Sequence, residues 1–447
     1  MSATQHDDFA RIPVSGQNLR PWWYLLVIEL GVLISIPMFV IGGQLGLSLT
    51  FNQLVMATLT GGAILGLIGG LTARPGAQTR CSTALIARAT FGSRGATCIG
   101  LVLAMGMTGW WGVQTELFCD AVIGLVQRLF HQQISRELTI ALGGAAMITT
   151  AALGIKAIGK LAYLAVPMLG MGICYAFSTL IAQHGLQPVM SYQPPAQSDI
   201  GFGAAVATVV GGWIVGASMN PDFARFALNT RHALGYALGH YSFNYPLLLI
   251  LCGVMAIGFQ SKDLMIHLVP SNLSWLLLIL VMLATWAAND CNLYSSSLGL
   301  TAVLPKIKRS YLAIIGGIIG IAMAEFHVAG HMVTFLVLLG IFIAPVSGVF
   351  IVNAADPRDK DNPDELSPVA NWHAGPLLAW AIGATVGLIT TPKAALGLGL
   401  LSLTTIPTID AVLAATLAMA LIKCLASWQK QQSAQALPII SVPESEA

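Results

Sequence analysis

The stretch "ELGVLISIPMF", residues 29–39, decides how the whole chain reads. It is oily enough to lie in a bilayer, yet it carries an acid, Glu29, and a mid-run proline, Pro37. Proline removes a backbone donor and clashes with the preceding turn, so a helix through Pro37 is kinked or interrupted. In hydrocarbon the freed carbonyls need partners. A polar ligand lining the break is one solution, and a simple kink packed against neighbouring helices is the other.

The rest of the 447 residues agrees with a bilayer setting: 56% are hydrophobic and only 9% charged, against about a quarter charged in an ordinary soluble domain. The mean hydropathy is +0.76. The net charge of +2 is too small to suggest a nucleic-acid partner. No cleavable signal peptide is visible: Asp7 and Asp8 precede the first apolar run, and that run is long enough to remain as a span. The seven cysteines, at 81, 98, 119, 174, 252, 291 and 424, show no CxxC and no metal spacing. They read as small core residues.

A spanning helix needs roughly 20 apolar residues. Twelve stretches qualify: 24–46, 54–71, 97–125, 138–154, 161–181, 203–219, 241–258, 274–298, 312–324, 332–352, 375–389 and 406–425. The breaks between them carry turn chemistry, as in "TARPGAQTR", "NPDELSP" and "TTPKAA". Lys and Arg concentrate in cytoplasmic loops. With the N-terminus inside, 17 of the 21 fall on that side, and only Arg128, Arg136, Lys262 and Lys393 fall outside. The expectation is an all-α integral membrane protein with twelve spans and both termini cytoplasmic. Residues 1–20 and 429–447 would be polar, mobile tails.

Polar groups at membrane depth usually face a cavity or a partner. The third span contains "GWWGVQT", residues 109–115. Trp110 and Gln114 are four apart and share a face; a ring with an amide one turn along suits a flat, hydrogen-bonding ligand. Paired Trp usually marks an interfacial belt, but Trp110 sits near the middle of the span. Trp111 points about 100° away and reads as packing. Glu116 and Asp120, nearer the external end, read as solvated. The sixth span, "VVGGWIVGASMNPDFARF", sets Gly211, Gly212 and Gly216 around Trp213. Glycine permits an unwound backbone there, or close helix packing; Asp222 and Arg225 are placed to pair at its cytoplasmic end. The eighth span, "ATWAANDCNLYSSSLG", holds Asn289, Asp290 and Asn292 and is too polar to face lipid. Breakers in spans one and six, five spans apart, are the signature of inverted repeats with discontinuous helices at the midplane.

These stretches resemble the nucleobase–cation symporter-1 family, the type that includes cytosine permease and the bacterial hydantoin transporter. "ARATFGSRG" (87–95) is similar to its "ARxxFGxxG" segment, and "GWWGVQT" to its "GWFGxQ" motif. "NPDFARF" resembles its "DFxRF" helix end, and "TWAANDCNLYSSSLG" its "TxNDNxLYxxGLG" pattern. "GIIG", "APVSGVFIV" and "VANW" extend the match. The resemblance implies a 5+5 inverted-repeat core (21–352) of the leucine-transporter type, discontinuous in helices 1 and 6, plus two extra C-terminal helices (353–428). It implies alternating access and import of a planar nucleobase, cytosine or a related pyrimidine or purine, across the inner membrane with a cation. Trp110 and Trp213 would sandwich the base, Gln114 and Asn289 would read its edge, and backbone near Ser35, Gly212 and Gly216 would add donors and acceptors.

The same resemblance places cation coupling at Gly31, Ile34 and Ala284. Where sodium-coupled members carry hydroxyls just before Asn289, this chain has Ala287 and Ala288. Glu29 and Asp290 flank that site and offer proton coupling instead, so the coupling ion is H+ or Na+. No cofactor and no bound metal beyond a sodium site is implied, and the expected state is monomeric. Gln114 and Trp213 follow the hydantoin and purine branches, which keeps a hydantoin- or allantoin-type heterocycle open as the cargo. An amino-acid or amine symporter on the same fold and a channel are the other transport readings. An enzyme lacks support: there is no HExxH, GxSxG or Walker loop. His327 and His331, four apart in a short external link, are a weak metal candidate.

Overall fold

The computed structural model describes residues 12–153, 156–196, 200–261, 264, 267, 274–304, 306–354, 369–393 and 396–435. The described residues form helices and loops without a strand, apart from an isolated bridge between Arg20 and Ala227. In order the helices are α1 (Trp22–Leu33), α2 (Ile36–Ser48), α3 (Phe51–Thr79), α4 (Thr83–Phe91), α5 (Ser93–Phe130), α6 (Arg136–Leu153), α7 (Lys156–His184), α8 (Gln187–Met190) and α9 (Phe202–Ser218). Then come α10 (Pro221–Ala224), α11 (Thr230–Leu238), a wide π-turn (Gly239–Asn244) and α12 (Tyr245–Phe259). The last six are α13 (Ser274–Val303), α14 (Arg309–Glu325), α15 (Met332–Phe342), α16 (Ala344–Ala354), α17 (Ala374–Thr390) and α18 (Pro407–Gln435).

Each of the twelve apolar stretches falls on one helix or on a consecutive pair. Among the described residues, five helices are long and apolar enough to cross a membrane, taking α11–α12 and α15–α16 as single runs, and the bent pair α1–α2 makes six. Part of the charge pattern, Arg11, Lys262, Arg358 and Lys360, lies outside the described residues, as do 1–11 and 436–447 of the two tails.

Two packing groups divide the bundle. In one, α2 packs on α12, and α3 packs on α9 and α11. In the other, α5 packs on α13 and α14, and α6 on α14. The second group has its own apolar core, with Trp111, Phe118, Met147 and Leu293 buried in it. α17 and α18 pack on each other and on α16. The α2–α12 seam is tight because it is built on glycine: a Cβ on Gly46 would overlap the Gly253 backbone.

The first helix breaks where the sequence predicts. α1 and α2 meet at 72°. Pro37 sits in the first turn of α2, where its missing N–H costs nothing. The Ser35 N–H turns back to the Leu33 carbonyl at 2.9 Å, and Met38 N–H donates to Ser35 O at 3.0 Å. The Ile36 N–H leaves the helix for Thr285 Oγ1 on α13, at 3.0 Å. The carbonyls of Gly31, Val32 and Ile34 thereby lose the donors four residues on that a continuous helix would supply.

The sixth span differs from expectation. α9 runs unbroken through Gly211, Gly212 and Gly216, and the chain turns only at Met219–Asn220. The glycines serve close approach, not unwinding. A Cβ on Gly211 would lie 2.9 Å from the Leu336 carbonyl oxygen, and one on Gly212 would strike the Tyr245 hydroxyl. Backbone donors and acceptors at Gly212–Val215 are therefore spent within the helix or its cap.

Two further expectations change. Residues 12–20 are not loose: Val14 N–H donates to Arg80 O at 3.0 Å, and Leu228 N–H donates to Arg20 O at 2.9 Å. The Arg80 guanidinium bonds the Ala227 and Leu228 carbonyls from the other side. Among the cysteines, Cys81, Cys119 and Cys252 are buried, but Cys98, Cys174 and Cys424 are exposed.

Candidate functional site

A cavity opens between the two packing groups, beside the break in the first helix. It encloses about 630 Å³ of empty space, its open side included. α5 presents Met107, Trp110 and Gln114 to it, at positions i, i+3 and i+7 of one helix face. The opposite wall is Trp213 with Gly212 and Gly216 on α9. Glu29 and Ser35 reach it from the broken first helix, and Asn292 and Ser295 from α13.

Two polar atoms facing this space lack partners. Gln114 Oε1 and Ser35 Oγ are buried without a hydrogen bond. Buried polar groups are normally satisfied, so such atoms need an explanation. Trp213 is braced from behind by His240, at 5.0 Å between ring centroids, and by Tyr245, at 5.5 Å. The Tyr245 hydroxyl donates to Val209 O at 2.9 Å, which fixes that brace. Trp110 is held edge-on by Phe335 at 5.6 Å.

The other predicted residues divide. Asn289 does not face the cavity. Its Nδ2 donates to Trp111 O at 3.2 Å and to Thr115 Oγ1 at 3.0 Å, which ties α13 to the far face of α5. Asn292, three residues on, takes the cavity position. Gly31 and Ile34 bracket the break, and Ala284 is buried one residue before Thr285. Thr285 supplies a hydroxyl at the break although Ala287 and Ala288 carry none. Asp290 is buried with both carboxylate oxygens unpartnered, but it does not line the cavity.

Glu116 is not solvated: it is 4% exposed. Its carboxylate accepts from Arg136 Nη2 at 2.8 Å and from the Ala329 N–H at 2.7 Å, with His327 Nδ1 3.4 Å away. Asp120 completes the group, 3.4 Å from Arg136 Nε. His327 thus belongs to a charge cluster, and no group of three or more metal-ligating side chains occurs among the described residues. At the other end of α9, the Thr83 N–H donates to Asp222 Oδ1 at 2.8 Å, and Arg225 Nε donates to the Asp222 carbonyl at 3.0 Å. Burial pushes the Asp222 carboxyl up, while the Arg225 charge and the Thr83 bonds pull it down.

Three residues escaped the sequence reading: Thr285, Asn292 in its cavity role, and His240. His240 is fully buried in the π-turn, with both ring nitrogens unpartnered. The signal was present as "GHYSFN" at the head of an apolar run.

A model of the permeases for cytosine/purines, uracil, thiamine and allantoin matches residues 12–360. The chain is 28% identical to the cytosine permease of Escherichia coli K12 over 390 residues, 86% of this chain and 90% of that protein. It is 26% identical to the hydantoin permease of Microbacterium maritypicum, over 77% of this chain and 73% of that one. Its fold is similar to that of Mhp1, a nucleobase–cation-symport-1 family transporter solved in a closed conformation with bromovinylhydantoin bound. The TM-score is 0.74 at 20% identity, covering 94% of this chain and 95% of that one. The chain belongs to the family of permeases for cytosine and purines, uracil, thiamine and allantoin, the nucleobase–cation symporters.

Proposed function

We propose that this protein is a secondary active symporter that imports a planar nucleobase-class heterocycle by alternating access, driven by a cation. The observation that carries the reading is the cavity between Trp110 and Trp213, into which Gln114 Oε1 and Ser35 Oγ bring unmet hydrogen-bonding capacity. Aromatic faces suit a flat ring, and an amide both donates and accepts. Glu29 is the one acidic or basic side chain among the described residues of the lining. No Lys or Arg stands among the described residues of the lining to pair with the carboxylate of an amino acid.

The proposed frame is twelve spans with both termini cytoplasmic, in the cytoplasmic membrane, working as a monomer. Residues 21–352 would form the inverted repeat and 353–428 two added helices. Helix pairing supports the repeat. The contact of α2 with α12 joins spans one and seven; shifted by five spans it becomes the contact of α3 with α9, spans two and six. The contact of α5 with α14 becomes that of α13 with α6 under the same shift. The freed carbonyls of Gly31 and Ile34 beside Thr285 Oγ1 form the proposed cation-linked region, with Ala284 in its wall.

A hydantoin-type cargo is the second reading. Gln114 favours it, since the sequence leaves the cytosine-permease pattern at this residue. Uptake of radiolabelled cytosine, uracil, purines, allantoin and hydantoin into proteoliposomes decides between them. Saturable uptake of one class is expected, with loss of saturable binding in W110A. Near-normal affinity in W110A, or uptake of amino acids only, overturns the reading.

A further inference from the structure

We propose that Glu29 and His240 together form the proton-binding site that drives this permease, an inference that rests on the symporter reading above. Glu29 is 3% exposed and lines the cavity; His240 is completely buried behind Trp213. Glu29 Oε2 and His240 Nε2 stand 3.8 Å apart, a small side-chain movement from sharing a proton. Neither imidazole nitrogen has a hydrogen-bond partner. Two groups so close titrate as one unit. With one proton the pair is neutral overall; without it the pair carries one uncompensated negative charge in apolar surroundings, which is costly.

The backbone points the same way. His240 is carried on a six-residue π-turn, Gly239–Asn244, inside an otherwise α-helical run from Thr230 to Phe259. Such turns are rare and frequently mark functional sites. The cluster His240, Tyr241, Trp213 is packed ring on ring, with Tyr241 4.8 Å from His240.

The elements around the pair contribute few other ionisable groups among the described residues. Tyr236 on α11, Tyr241 on the π-turn and Cys291 on α13 lie within electrostatic reach of Glu29. Tyr245 on α12 shares Trp213 with His240. The remaining carboxylates are Asp290, next to Cys291, and Asp222, across Tyr236. Among the described residues, no Lys or Arg lines the cavity.

Proton and cargo are coupled because they share walls. Trp213 has His240 on one side and the cavity on the other, and Glu29 belongs to both sites. A proton enters the pair from the outer solution while the cavity is open there. It leaves to the cytoplasm once the cavity opens inward, and the pair returns to its charged state. An imidazolium at 5.0 Å also strengthens the Trp213 platform through a cation–π contact.

The test uses the full chain in proteoliposomes, with an alkaline interior and no sodium on either side. Wild type is expected to accumulate radiolabelled cytosine or hydantoin above the external level. E29Q and H240Q are both expected to lose accumulation; H240Q, whose residue lies outside the cavity lining, is expected to keep equilibrium exchange of the same label, because exchange needs no proton release. D290N is expected to accumulate like wild type. Accumulation that survives in both E29Q and H240Q, or that falls only in D290N, overturns the proposal. So does accumulation driven by sodium and indifferent to pH. If wild type exchanges no heterocycle at all, the substrate reading fails instead. A label-free readout keeps the two apart: an imidazolium quenches a neighbouring indole, so wild-type tryptophan emission is expected to titrate with pH. The titration is expected to vanish in both W213F and H240Q; a titration undiminished from wild type in either variant would refute the proton site by itself.

Discussion

The Ile36 N–H donates to Thr285 Oγ1 at 3.0 Å, and this one bond fastens the second half of the broken first helix to α13. A buried N–H left without an acceptor costs roughly 1–3 kcal/mol. Thr285→Val keeps the shape and removes the acceptor, so it is expected to lower stability by about that amount. Thr285→Ser keeps the hydroxyl and is expected to stay close to wild type. Thermal unfolding in detergent checks both. Equal midpoints for the Val and Ser variants would mean that the bond carries no weight.

The two amides of α13 are expected to fail differently. Asn292 lines the cavity, whereas Asn289 binds Trp111 O and Thr115 Oγ1 across the α5 seam. Asn292→Ala is expected to weaken cargo affinity on the order of 5- to 150-fold with little loss of stability, as a lost ligand hydrogen bond does. Asn289→Ala is expected to lower the unfolding midpoint first. Binding and melting curves on the same two preparations separate the cases.

Arg136 holds a carboxylate that is almost fully buried. Removing one partner of a buried pair is costly because the other is left charged and alone. Arg136 is partly exposed, so solvent softens the loss: Arg136→Met is expected to destabilise by about 1–3 kcal/mol. Glu116→Gln in the same chain is expected to recover most of it. A double-mutant cycle on unfolding midpoints reads the coupling, and additive effects would deny it.

Two glycines make an internal control. Gly46→Ala drives a methyl group into the Gly253 backbone, while a Cβ on Gly124 meets nothing within 4 Å. G46A is expected to destabilise by about 1–3 kcal/mol through overpacking. G124A is expected to be neutral or stabilising, by up to about 1 kcal/mol, from helix propensity alone. Thermal melts of both variants check the contrast.

The break at Ser35 was readable because proline carries a backbone rule that holds wherever it stands. The cavity face of α5 was readable because Trp110 and Gln114 repeat at helical spacing. The sixth-span glycines were not, since glycine suits an unwound backbone and a close contact equally well. The choice was made by Leu336 and Tyr245, far away in the chain. Asn289 and Asn292 lie on neighbouring faces of one helix, and only the position of α5 decides which of them sees the cavity. His240 stands at the head of an apolar run, where a sequence alone shows an interfacial residue and the fold shows an interior one. Glu116 read as wet because its partners, Arg136 and the Ala329 N–H, come from other segments.

The glycine seam between α2 and α12 has a mechanical meaning. With backbone on backbone at Gly46 and Gly253, no layer of side chains remains to act as a bearing. The two helices are packed tightly enough to be expected to move as one unit. α12 follows directly from the π-turn that carries His240. Any stroke that swings α2 across the cavity therefore drags the imidazole with it, and the distance from His240 to Glu29 on α1 becomes a gauge of how far the stroke has gone.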